Sequence, residues 1–187
     1  KKMDRNPIFQ PAHILEFWFE LLRSEEWFKA SAELDIWLTR HYRPVIAAFA
    51  ADLPGCVWRD ANPALAAIIM LDQFPRNVFR GLPQAFAFGK LAVKIAQNAV
   101  DYGFDRGLGK DQRLFMYMPF MHSEDLAVHE RALPLFDAID GGHHSYAHAH
   151  YAIIKRFGRY PHRNQVLGRI STKAELDYLE TADRFGQ

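Results

Sequence analysis

Cysteine is almost missing from this chain. Cys56 stands alone among 187 residues, so no intramolecular disulfide can staple the fold, and a reducing compartment is expected. It lies between Gly55 and Val57 with no histidine nearby, which reads as a small core or loop residue. Long apolar runs are missing too: none reaches the roughly 18 residues of a membrane span, and Arg, Lys or Asp interrupts every stretch. No membrane contact is therefore expected. Net charge is close to nil, with 23 Lys plus Arg against 22 Asp plus Glu. That excludes the broad basic footprint of a general nucleic-acid binder. Alternating apolar residues never run long enough to make a confident strand. The opening Lys1-Lys2-Met3 leads into no secretory pattern, and a cytoplasmic location is expected.

Aromatic side chains are plentiful, at 14% of the chain with fifteen Phe and four Trp, so big flat rings should build the core. The length fits one domain over 1–187. Apolar spacing at three and four residues predicts helices throughout. Ala12–Leu22 puts Ile14, Leu15, Trp18 and Phe19 on one face. A second pattern runs from Ser31 to Phe49, with Pro44 expected to kink or restart it. Asn62-Pro63 reads as an N-cap with proline at the first helical position. The helix that follows, Ala64–Phe74, is apolar nearly all round and should be central, with Pro75 ending it. Further helices are expected over Gln84–Tyr102, over Lys110–Met118 closed by Pro119, from a Ser123 cap through Phe136 to a break at Gly141-Gly142, and over Ser145–Phe157. Thr172-Lys173-Ala174-Glu175 is a capping box opening the last one. The fold class is all-α, about eight helices in antiparallel hairpins.

Two stretches echo each other. Gln73-Phe74-Pro75-Arg76-Asn77 with Phe79-Arg80-Gly81 is matched by Arg159-Tyr160-Pro161-His162-Arg163-Asn164 with Leu167-Gly168-Arg169. Each follows a helix end and reads aromatic, proline, basic, Asn, so two equivalent corners are expected. Their arginines, Arg76, Arg80, Arg159, Arg163 and Arg169, together with Asn164, form a candidate ligand-binding set, because guanidinium forks hold phosphate or carboxylate bidentately. The alternative is structural: the same arginines pair with Asp72, Glu124 and helix-end carbonyls, while Asn77 and Ser123 fix the corners. His122, Glu124, His150 and His162 are the candidate acid/base groups. His144 and His148, four apart, could meet a metal on a helix face, but a solvated helix start is the expected role, and no metal or cofactor motif of the HExxH kind is present.

These motifs also carry a family resemblance. Leu71-Asp72-Gln73-Phe74-Pro75-Arg76-Asn77, Phe79-Arg80-Gly81, Tyr117-Met118-Pro119-Phe120-Met121-His122-Ser123-Glu124 and Arg156-Phe157-Gly158-Arg159-Tyr160-Pro161-His162-Arg163-Asn164, with Leu167-Gly168-Arg169 and Ser171-Thr172, resemble the bacterial "domain of unknown function 924" family. The resemblance spans the chain from Trp27-Phe28 to Leu179. It implies a tetratricopeptide-like helical fold and no particular activity. One departure stands out: the family pattern brings an acidic residue after Ala85-Phe86-Ala87, where this chain has Phe88-Gly89.

Two functions from different classes follow. A helical scaffold would bind a protein or peptide partner in an apolar groove, with the arginines as struts. An enzyme or binder of a small anionic metabolite would instead bring arginines and histidines to an open pocket, some of them unpaired with protein carboxylates. The sequence sets no oligomeric state.

Overall fold

The computed structural model describes residues 9–139 and 143–181, with the backbone alone given at His143 and His144. The expected break at Gly141-Gly142 lies outside the described residues, as does any side-chain role for His144. The helices are α1 Pro11–Glu16, α2 Ala32–Tyr42, α3 Ile46–Ala51, α4 Ala61–Ile68, α5 Phe74–Val78, α6 Gly89–Asp101, α7 Lys110–His122, α8 Leu126–Asp137, α9 His143–Phe157 and α10 Lys173–Thr181. A π-helical turn, Ile69–Gln73, joins α4 to α5 in one continuous rod. The described residues contain no strand, and the protein is all-α.

The α4 rod is the centre. Every residue from Ala64 to Pro75 is buried, and α4 packs against α1, α6 and α7. Rings close the core around it: Trp18 meets Phe74 at 5.8 Å and Phe115 at 5.5 Å between centroids. Edge-on and tilted geometries of this kind suit the ring quadrupoles. Later helices pair with their sequence neighbours, α6 with α7, α7 with α8 and α8 with α9.

Prolines place several helix ends differently from expectation, and two of these shifts build the site. Pro75 does not end the central helix. Its missing N–H and its ring are incompatible with a bond to the carbonyl four residues back, and the rod widens instead, Phe74 N–H bonding the Ile69 carbonyl. The helix then resumes as α5 with Pro75 in its first turn. Likewise α7 runs past Pro119 to His122, and that extra turn carries the histidine. Pro44 does interrupt the second pattern, between α2 and α3. A 3-10 turn, Pro83–Phe86, replaces the expected start of α6. Asp125, not Ser123, caps α8: its Oδ1 accepts from Ala127 N–H at 2.9 Å, while Ser123 Oγ accepts from Asp125 N–H at 3.1 Å. The capping box at Thr172 is as expected, with Glu175 accepting from Thr172 N–H at 2.7 Å and Thr172 Oγ1 from Glu175 N–H at 3.2 Å.

Candidate functional site

The two corners come together at the C-terminal end of α7, and their arginines divide into two groups. Three are tied off inside the protein. Arg169 donates to both Glu124 oxygens at 2.7 and 2.9 Å, to Asn164 Oδ1 at 2.9 Å and to the Tyr160 carbonyl at 3.0 Å. Glu124 also accepts from Tyr160 N–H at 2.7 Å, so this candidate acid/base group is a structural acceptor. Its pKa is lowered because these bonds to its anion outweigh its burial. Asn164 completes the lock by donating to Ser171 Oγ at 3.0 Å. Arg159 forks onto Glu175 at 2.7 and 2.9 Å and reaches the Ile170 carbonyl; those bonds hold Glu175 at about 2. Arg80 forks onto Asp35 at 2.6 and 3.0 Å, and Asn77 donates to the same carboxylate at 2.8 Å. The acidic partners Asp35 and Glu175 were not foreseen. Asp35 lies in the first turn of α2, far away in sequence, and Glu175 reads only as a helix cap.

The other two arginines are not tied off. Arg76 Nε donates to the Asp72 carbonyl at 3.1 Å, and its Nη2 stands 3.7 Å from Asp72 Oδ1. Arg163 Nη1 donates to the His122 carbonyl at 3.0 Å. Arg76 Nη1 and Arg163 Nε are buried with no hydrogen-bond partner among the described residues. Both guanidinium groups lie over the Phe86 ring, at 5.5 and 4.6 Å, and Arg163 is also 4.4 Å from the Tyr160 ring centre. Burial, and then the nearby Arg76 charge, push Arg163 down to about 9, so it is still a cation at neutral pH.

Asp72 is the one carboxylate set between them. It sits on the π turn, 3% exposed, and binds His122 Nδ1 through both oxygens at 2.9 and 2.8 Å, while Gln73 Nε2 donates to it at 2.7 Å. Burial works against the Asp72 anion, but the hydrogen bond from His122, with Arg76 and Arg163 behind it, keeps the carboxyl below its ordinary value. Burial and the Arg76 charge push His122 down to about 4, overriding the attraction of Asp72. A neutral imidazole facing a carboxylate carries its proton on Nδ1 and leaves the Nε2 lone pair available. No described residue bonds that Nε2, and 13% of the side chain is exposed.

Around Tyr160, itself fully buried with its hydroxyl donating to the Met121 carbonyl, gather three more histidines. His129 Nε2 meets the Ser123 carbonyl at 2.8 Å, and the ring of His150 stands 5.7 Å and that of His162 5.3 Å from Tyr160. His150 bonds the Tyr146 carbonyl at 2.7 Å, and burial pushes it down to about 3. His148 is half exposed and bonded to Asp137 at 2.9 Å, away from this cluster. Among the described residues no three His, Cys, Asp or Glu side chains come together as metal ligands.

These groups open onto a cavity of about 1070 Å³. Gln73, Arg76, His122, His150 and His162 line its polar part, while Phe86, Leu114, Met118 and Met121 are among its apolar walls. The volume is at the upper end for a small-molecule site. Of the candidate ligand-binding arginines, Arg76 and Arg80 reach the cavity wall; Arg163 is stacked behind Phe86, and Arg159 and Arg169 are held in their ion pairs.

A family model described as "Bacterial protein of unknown function (DUF924)" matches residues 14–183. The structure of a protein of unknown function from Agrobacterium tumefaciens is 37% identical, covering 92% of this chain and 97% of its own, with a TM-score of 0.86. No curated protein matches the chain. None of the helices, among the described residues, is long and apolar enough to cross a membrane.

Proposed function

The chain belongs to this bacterial family of unknown function, DUF924, and from that premise we propose that it binds a small anionic metabolite in the α7 cavity and moves a proton on it through His122. The observation that carries the proposal is a charge left over. Two guanidinium groups, the buried Arg163 and the partly buried Arg76, stand beside one carboxylate that no arginine forks, Asp72, with His122 neutral, and each keeps one buried N–H without a partner among the described residues. A buried cation without a counter-charge is costly. A carboxylate or phosphate against Arg76 supplies what the protein does not. The peptide-scaffold alternative makes all the corner arginines struts; Arg80, Arg159 and Arg169 are forked onto carboxylates, whereas Arg76 and Arg163 hold backbone carbonyls and still leave Arg76 Nη1 and Arg163 Nε without a partner among the described residues.

The same arrangement supports acid/base chemistry. Asp72 fixes the ring and its tautomer, so Nε2 can take a proton from a ligand hydroxyl, a carbon acid or a water molecule. As it stands His122 is a weak base, because burial and then the Arg76 charge disfavour the imidazolium. An anion seated on Arg76 offsets that charge and raises the histidine, although its burial remains, so the base strengthens when the ligand arrives. The test is the thermal midpoint at fixed ionic strength against phosphate, sulfate and a panel of phosphorylated and dicarboxylic metabolites. At a hundred times the dissociation constant a true ligand stabilises by about 2.7 kcal/mol, and Arg76→Met should abolish the gain. A flat response across the panel returns the account to the scaffold.

A further inference from the structure

The cavity is far larger than a bare anion, and an apolar strip lines part of it. Leu114, Met118, Met121 and His122 all line it and stand on one helix, α7, at spacings that share a face. Between Leu114 and His122 lie two turns, about 12 Å at 1.5 Å per residue. The His122 end holds Arg76, Gln73 and the second-corner cluster. The Leu114 end is closed by the segment before α2: Trp27 and Phe28 line the cavity beside Lys29, Trp27 edge-on to and Phe28 stacked on Phe115, the residue after Leu114, at 5.1 and 6.1 Å between ring centres. Met118 bridges the two regions. Its sulfur accepts from Gln73 Nε2 at 3.3 Å, while its side chain forms part of the wall. Methionine side chains adapt to varied apolar shapes.

We propose that the ligand is an amphipathic anion: a carboxylate or phosphate group seated at Arg76 and His122, with an aliphatic or aryl body lying along α7 toward Trp27 and Phe28. This rests on the anion site proposed above and adds the chemical class of what fills the remaining space. An inorganic anion leaves the Leu114–Met118 wall uncovered. An uncharged chain leaves the Arg76 and Arg163 surplus unanswered. Only a ligand with both parts meets both ends.

The experiment titrates the whole chain with acetate, octanoate and octanol at constant ionic strength, following tryptophan fluorescence and the thermal midpoint, in wild type and in two variants. Octanoate should bind far more tightly than acetate, by about four-fold for each methylene the wall covers, and more tightly than octanol. Phe28, 57% exposed, can be cut back without opening the core. Phe28→Ala should weaken octanoate several-fold and leave acetate unchanged, and Arg76→Met should bring octanoate down to the level of octanol. Octanoate no tighter than acetate, with both still lost in Arg76→Met, overturns the apolar body and leaves the anion site standing. Octanol equal to octanoate, with Arg76→Met silent, removes the anionic head and the anion site with it. No binding by any of the three discards both.

Discussion

Arg169 gives its guanidinium to Glu124, Asn164 and the Tyr160 carbonyl at once. Arg169→Ala therefore leaves a half-buried carboxylate without its cation and frees the corner that holds Asn164. A buried pair broken on one side costs 3–5 kcal/mol; with 23% and 28% of the two side chains exposed, about 2–3 kcal/mol is expected here. Arg80→Ala breaks a pair just as short, but its arginine is 39% exposed, and the loss should stay under about 1 kcal/mol. Urea unfolding of the two variants checks the order. Equal losses would mean that fork geometry, rather than burial, sets the worth of these struts. The sequence made the residue types of the site legible, since Asp72, Arg76, His122 and Arg163 all stand in its motifs and His150 is among the acid/base candidates. What it could not supply was the pairing. Asp35 and Arg80 meet across 45 positions, and no local pattern tells which arginines are answered within the protein and which are not.

At the scale of elements, the polar heart is assembled from several helices, mostly at their ends. The π turn brings Asp72, α7 brings His122, α8 brings His129, α9 brings His150 and the 3-10 turn Pro161–Arg163 brings the last histidine. Burial lowers His122 to about 4, His150 to about 3, and His129 in the same direction. Folded-state values below the ordinary 6.5 mean that the unfolded chain takes up more protons. The stability is thus complete above pH 6.5 and is lost as pH falls from there toward 4 and then 3. Each such histidine adds a slope of about 1.4 kcal/mol per pH unit within its window. Acid unfolding should accordingly begin near pH 6, before the lowered carboxylates Asp72, Glu124 and Glu175 add their part. Denaturant midpoints in steps from pH 7 to 4 measure the slope, and His150→Gln should reduce it by one histidine's share; stability constant down to pH 5 would contradict the burial argument. Periodicity made the helices legible, but proline was misleading as a stop signal. At Pro75 and Pro119 packing on the core outweighs the local cost, and the helices continue into the segments that carry Arg76 and His122.

At the scale of the whole molecule, an all-α fold with the α4 rod at its centre was legible from apolar spacing alone, because a helix apolar on every side has only the core to occupy. The cavity was not, since it is bounded by side chains from the segment before α2, the π turn, α7, α9 and the second corner together. Its claim to a ligand rests on the charge that Asp72 cannot answer by itself. The most direct measurement is the ring-nitrogen NMR titration of His122, assigned by its loss in His122→Asn, with and without saturating octanoate or phosphate. The account predicts an apparent pKa near 4 in the free protein, with the proton on Nδ1, and a rise when an anion sits on Arg76. A His122 titration unmoved by either anion would contradict it.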